Sequence, residues 1–217
     1  MWRYWMELVF SLGTIVLVNV LAWITPGPNM FAVMAASLTH GRQHGLATGL
    51  GLACGALLWS VFAVLGVAIL FDLLPRAVVA LKLAGAAYLV WLGIKSIRSA
   101  KNQSGDIGMA RASDLALTRS FRTGLIVSMT NPKAALFFGS VMAAFIPATA
   151  TAWFLSLVVA ICGLLAVVLH SITATLFSTR LAMRFFARFQ KAISCTFGAI
   201  FVTMGGSIAY AALRRTQ

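Results

Sequence analysis

Two short segments of this 217-residue chain set proline, asparagine and lysine inside otherwise apolar sequence. They are Thr25-Pro-Gly-Pro-Asn29 and Asn131-Pro-Lys133. Proline lacks the backbone donor and suits the first position of a helix, so Pro28 and Pro132 can each restart an interrupted helix. Asn131 is a good cap before Pro132, and Gly27 a permissible one before Pro28. The N–H groups that open each restarted helix favour an anion, and Lys133 adds a full positive charge. Carbonyls freed ahead of the breaks, around Ile24 and Thr130, are open to an ammonium group. A ligand with both charges, an amino acid, fits such a site. The competing reading is that the prolines only kink helices and Lys133 reaches out to the surface. Two matched polar breaks with a lysine near mid-span favour binding. The expected substrate-binding set is Thr25, Pro26, Gly27, Pro28, Asn29, Asn131, Pro132 and Lys133.

Other side chains are weighed against quieter roles. Asn19 can reach the site or bond another helix. Tyr88 and Trp91, with Trp59, can place rings beside an ammonium or fill interfacial belts. His170 is the one side chain in a span with an unperturbed pKa near neutrality, about 6.5. It is the candidate for coupling to protons, against a bond to a carbonyl or to Ser171. His40 and His44 are expected in solvent, and Gly85, Gly93, Gly198 and Gly206 at close helix crossings. Glu7, Asp72, Asp106 and Asp114 all lie at ends or in loops, so no span carries a carboxylate. A neutral amino acid is therefore the preferred substrate over a basic one. His170 and Lys133 alone make neither an acid/base pair nor a metal cluster, so no catalytic residue, metal or cofactor is expected. Cys54 and Cys162 suggest an alternative, a membrane thiol-disulfide carrier, although the proline breaks carry no cysteine. Cys54, Cys162 and Cys195 are expected to be buried and inert, away from the breaks.

The elements that hold these residues follow from composition. The chain is 61% hydrophobic and 10% charged, where soluble domains are about 45–50% apolar and about 25% charged. With a mean hydropathy of +0.95 it cannot cover itself in water. This predicts an all-α integral membrane protein. The net charge of +13 lies between apolar stretches and is matched to membrane lipids, not to nucleic acid. Six transmembrane helices of about 20 residues or more are read: Leu8 to Leu38, Leu46 to Leu70, Ala77 to Ile97, Phe121 to Ile146, Ala152 to Phe177 and Ala192 to Leu213. The first and fourth are broken by the proline motifs. Glu7, Asn19 and the lack of a small-residue cleavage site favour a retained first helix over a signal peptide.

The chain divides into a three-helix repeat, 1–97, a cytoplasmic loop, 98–119, and a second three-helix repeat, 120–217. Ala53-Cys-Gly55 matches Ile161-Cys-Gly163, and the Gly85–Gly93 run matches Gly198–Gly206, in the same order. An odd number of spans per half makes the repeats inverted, the sequence sign of a secondary transporter. Eleven Lys and Arg lie on one face and four on the other. The richer face is expected in the cytoplasm and both termini outside. Residues 178–191 alternate Arg180, Arg184 and Arg188 with Leu181, Phe185 and Phe189. They are read either as a helix at headgroup level or as a basic loop.

At these residues the chain resembles the lysine-exporter (LysE/RhtB) family of bacterial amino-acid exporters. The resemblance is carried by Thr25-Pro-Gly-Pro-Asn29, Gly41-Arg-Gln-His-Gly-Leu46, Gly49-Leu-Gly51, the Leu81–Ile94 run, Phe121-Arg-Thr-Gly124 and Asn131-Pro-Lys133. It implies six helices, efflux of amino acids or close derivatives across the inner membrane, and coupling to the proton gradient. Many members carry an acidic residue soon after the glycines of helix two, where this chain has Gly55-Ala56. Self-association is left open by the sequence.

Overall fold

The computed structural model describes residues 2–73, 77–102 and 116–214. The described residues form helices α1 (Trp2–Ile24), α2 (Pro28–His40), α3 (Arg42–Leu73), α4 (Ala77–Asn102), α5 (Leu117–Thr130), α6 (Pro132–Phe145), α7 (Ala152–Leu176) and α8 (Arg180–Arg214), with no strand among them. Four of these, within α1, α3, α7 and α8, are long and apolar enough to cross a membrane. The pair α5–α6, bent by 59° at its break, is a fifth when the two helices are taken as one span. Asp106, Asp114 and Arg111 lie outside the described residues.

The breaks fall where the sequence puts them. The residue before a proline avoids helical backbone, and Thr25 and Gly27 each precede one. α1 therefore stops at Ile24 and α2 restarts at Pro28. Asn131 does the same between α5 and α6, with extended backbone at φ −79° and ψ 105°. α2 and α3 are separated by Gly41 alone, at φ +88°. That left-handed value favours glycine, and it folds α2 back beside α3.

Three expectations about the elements are corrected. α1 alone has 23 residues, roughly 35 Å at about 1.5 Å per residue, so it reaches span length without α2. α4 continues past Ile97 to Asn102. Residues 180–191 are neither a loop nor a separate surface helix but the first turns of the 35-residue α8. No glycine or proline interrupts that stretch, so nothing ends the helix there. Leu181, Phe185 and Phe189 are exposed along it, while Phe186 turns inward onto Phe177, Met30 and Met34.

The core lies where the helices cross. α4 packs along α8, α3 lies against both α5 and α7, and α6 packs on α4 and α3. Ile15, Val18, Leu89, Val141, Met142, Phe154, Val158 and Phe201 are wholly buried there. Glycine permits three of these crossings. Gly51 of α3 faces the Phe121 carbonyl of α5, and Gly124 of α5 faces the Thr48 carbonyl of α3. Gly93 and Gly198 meet in the same reciprocal way between α4 and α8. Gly85 sits on the α6 backbone at Ser140, as expected of a close crossing. Gly206 faces open space instead, and its neighbour Gly205 makes the contact, against Ala86 and Val90. Large apolar side chains such as Val9, Phe10, Leu136 and Leu164 remain on the outside, as a lipid-facing surface requires.

Candidate functional site

The two proline breaks meet in the middle of the fold. The Asn131 side-chain amide donates to Asn29 Oδ1 at 2.8 Å. Its own Oδ1 accepts from the Lys133 backbone N–H at 3.0 Å. One asparagine thus caps α6 and ties it to the opening of α2. The Lys133 ammonium crosses the same gap and donates to the Thr25 carbonyl at 3.2 Å. It does not reach for the surface. Gly27 lies under that ammonium: a Cβ added there would stand 3.3 Å from Nζ. The Tyr88 hydroxyl donates to the Lys133 carbonyl at 3.0 Å and so holds the first turn of α6 from outside.

The two restarted helices are not equivalent. α6 is capped by Asn131, whereas Gly27 caps α2 with no side-chain hydrogen bond. The first helical bond of α2 runs from the Phe31 N–H to the Gly27 carbonyl. The N–H groups of Asn29 and Met30 therefore have no acceptor within the helix. They form the positive end of α2 beside Lys133, a place for a carboxylate.

α1 ends the opposite way. The donors that would reach the Ala22 and Ile24 carbonyls belong to positions 26 and 28, both proline and both without an N–H. The negative end of α1 thus faces the positive end of α2 across three residues, a pair of poles suited to a zwitterion.

A cavity of about 100 Å³ surrounds these poles. Asn19, Thr25, Gly27, Asn29, Asn131, Lys133 and His170, all singled out in the sequence, line it. The prolines do not: Pro26, Pro28 and Pro132 shape the breaks without lining the cavity. Trp91 lies on the exposed face, its ring beneath the Lys95 ammonium at 4.7 Å, and does not line the cavity either. Thr130 is exposed and bonds back to Ile126, so the acceptors left free at the cavity come from the end of α1.

Several lining residues escaped the sequence reading. Phe137 and Phe138 follow Lys133 by about one turn of α6, and Leu165 and Leu169 precede His170 on α7. Helical spacing from Lys133 and His170 was the available signal. Trp23 lines the wall and fixes it, its indole N–H donating to Thr173 Oγ1 of α7 at 3.0 Å. Trp59 lies outside and bonds the Ser128 carbonyl at 3.1 Å.

The cysteine expectation is corrected. Cys162 is buried as expected but lines the cavity, where the Asn19 amide approaches its sulfur at 3.9 Å. Cys54 is exposed and Cys195 half-buried, because their faces of α3 and α8 point out of the bundle. His40 and His44 are not simply solvated. Gly41 brings their rings to 5.4 Å, and His44 Nδ1 shares a 2.9 Å hydrogen bond with Ser120 of α5.

The model of the LysE type translocators matches residues 20–212 of this chain. The chain belongs to that family. Among similar proteins, the threonine efflux protein of Escherichia coli K12 is 28% identical over 202 residues, covering 88% of this chain and 94% of its own. The homoserine/homoserine lactone efflux protein of Salmonella typhimurium is 30% identical over 204 residues, covering 90% and 94%. An uncharacterized membrane protein of Pseudomonas aeruginosa is 36% identical over 214 residues, covering 92% and 95%. No solved structure matches the chain. Membership makes this protein a membrane transporter and not an enzyme.

Proposed function

We propose that this chain exports neutral amino acids across the bacterial cytoplasmic membrane, driven by the proton gradient. The observation that carries the reading is the meeting of the two breaks. Lys133 and the uncapped start of α2 form one pole, and the prolinated end of α1 the other. A free amino acid bridges them with its carboxylate toward Lys133 and its ammonium toward the Ala22 carbonyl at the end of α1. Among the described residues, no Asp or Glu lines the cavity. A second positive charge on the substrate would therefore meet Lys133 without compensation, which favours neutral amino acids over basic ones. The relatives named for efflux of threonine and of homoserine support the same substrate class. The family resemblance supports the proton gradient as the driving force.

The accompanying architecture is two inverted halves, 1–97 and 120–217, joined by the 98–119 loop, giving six crossings with both termini outside. The packing of α3 on α7 and of α4 on α8, each helix on its counterpart, supports this arrangement. The test is flux of labelled amino acids in proteoliposomes, with and without an imposed pH gradient. Gradient-dependent accumulation of threonine well above that of lysine is expected. Accumulation that favours lysine, or that ignores the gradient, rejects the corresponding half of the proposal.

A further inference from the structure

The first turns of α8 carry their charge on a face that the fold leaves open. Phe186 turns inward, its ring edge-on to Phe177 at 5.3 Å between centroids, in one cluster with Met30 and Met34. Ala182 and Met183 pack on the same cluster, so the inward face is filled. On the rest of the helix, Arg184, Arg188 and Lys191 are exposed. Their spacing of four and three residues places them in one stripe. Leu181, Phe185 and Phe189 form a second stripe, 65%, 56% and 49% exposed. Adjacent helix positions differ by about 100°, so the apolar stripe runs between the basic one and the buried face. Arg188 overlaps the seam, its guanidinium 6.0 Å from the centre of the Phe189 ring. Neither α8 nor α4, the helix packed along it, contains an acidic residue to neutralise these charges. α4 adds to them at the same end of the molecule: Ser96 bonds the Ser194 carbonyl at 2.9 Å, and exposed Lys95 and Arg98 flank Ser96. α8 also opens on Arg180 with no acidic residue in its first turn, although the positive end of a helix favours anions.

We infer that this face of α8 docks on anionic phospholipid at the membrane surface. The charges call for phosphate, and the apolar stripe selects its source. A helix with basic and aromatic stripes side by side lies at the boundary between headgroups and acyl chains, rings toward the chains and cations on the phosphates. A soluble anion would satisfy the arginines and leave Leu181, Phe185 and Phe189 in water. Each Lys or Arg near an anionic surface is worth about fivefold in affinity. The three in the stripe together favour anionic over zwitterionic lipid by at least about tenfold. Met30 belongs to the Phe186 cluster and also lines the cavity, so the docked segment backs directly on the cavity wall.

The test is binding of single phospholipids to the full-length protein in neutral detergent, followed by native mass spectrometry. Phosphatidylglycerol and phosphatidylcholine with the same acyl chains are the probes. Wild type is expected to bind phosphatidylglycerol at least about tenfold more tightly. Arg184→Gln, Arg188→Gln and Lys191→Gln combined should remove most of that preference. Arg42→Gln, Arg119→Gln and Arg122→Gln combined, which takes the same charge from other helix ends, should keep it. Phe185→Ser with Phe189→Ser should weaken phosphatidylglycerol binding although no charge is lost. All of these side chains are exposed, and an unchanged melting temperature establishes that each variant is folded. Equal affinity of the wild type for the two lipids overturns the inference. Equal loss of preference in the two triple variants overturns it as well, since net charge alone would then explain the binding. Displacement of the lipid by inorganic phosphate or a short RNA, with Phe185→Ser and Phe189→Ser without effect, would assign the face to a soluble anion and overturn the lipid assignment.

Discussion

At the scale of single residues, Lys133 is the group whose chemistry is most constrained. An ammonium near the middle of a span costs about 2.5–3.5 kcal/mol on insertion scales. The Thr25 carbonyl offsets part of this, as a neutral acceptor at 3.2 Å. A carbonyl leaves the charge itself uncompensated, and a substrate carboxylate supplies what is missing. Lys133→Ala is therefore expected to insert and fold but to lose binding of free amino acids. The corresponding amides, which carry no carboxylate, should lose far less. Lys133→Arg restores the charge without the shape and should retain part of the binding. Binding of an amino acid and of its amide, compared in wild type and variants, is the measurement. Equal losses for both ligands would show that Lys133 acts only as a strut between the breaks.

The residues at the breaks were legible in the sequence because proline acts locally: it removes a donor wherever it stands. What the sequence did not give away were contacts set by helix rotation. Cys54 and Cys162 occupy matched triplets, yet one faces outward and the other lines the cavity. Trp91 has the chemistry of a cation-binding ring but lies on the outer face of α4 beside Lys95. Tyr88, three positions earlier, reaches the Lys133 carbonyl and works on the site without lining it.

At the scale of elements, the position of Asn131 depends on how closely α5 can approach α3. Gly51 and Gly124 lie against each other's helix at a distance that leaves no room for a Cβ, and the atoms in the way are backbone carbonyls. Backbone cannot rotate aside as a side chain can, so the whole of α5 must shift if either glycine grows. Gly124→Ala is expected to lower stability by about 1–3 kcal/mol, the usual range for overpacking. It should weaken amino-acid binding with it, since Asn131 sits at the end of the same helix. Gly206→Ala is the control. Nothing stands within 4 Å of that position, and alanine is the better helix former by about 1 kcal/mol. Thermal unfolding of the detergent-solubilised proteins should show the first variant shifted down and the second unchanged or shifted up. A Gly124→Ala protein as stable as wild type would mean the crossing is looser than described. The glycines themselves were visible in sequence, but which of Gly205 and Gly206 faces its neighbour was not. Adjacent residues on a helix point about 100° apart, and small-residue patterns do not fix the rotation. The length of α8 was misjudged for a different reason. Its first turns are strongly basic, which marks a membrane boundary, but a boundary in charge is not a break in backbone.

At the scale of the whole molecule, the contacts sort the helix ends into two sets. His44, at the start of α3, bonds Ser120 at the start of α5. Gly45 lies against Ala174 near the end of α7. Ser96, toward the end of α4, bonds the Ser194 carbonyl of α8. These ends carry Arg42, Lys95, Arg98, Arg119, Arg122, Arg184, Arg188 and Lys191. The start of α1 belongs to the other set: Ser11 bonds the Phe145 carbonyl at the end of α6, and Trp5 meets Trp153 at the start of α7 with ring centroids 5.9 Å apart. Few basic residues lie there, and tryptophans gather as they do at membrane interfaces. Lys and Arg are retained on the cytoplasmic side, so the first set is expected inside and the set with both termini outside. A reporter that is active only after export, fused behind Gln217, should be active. One that works only in the cytoplasm should be active when inserted near Gln103. Reversal of both would invert the orientation of the cavity and reject the charge argument. A cytoplasmic C-terminus together with a cytoplasmic loop would mean that the second half crosses the membrane an even number of times. The inverted arrangement of the halves, and with it the opposed proline breaks as equivalent elements, would then have to be given up.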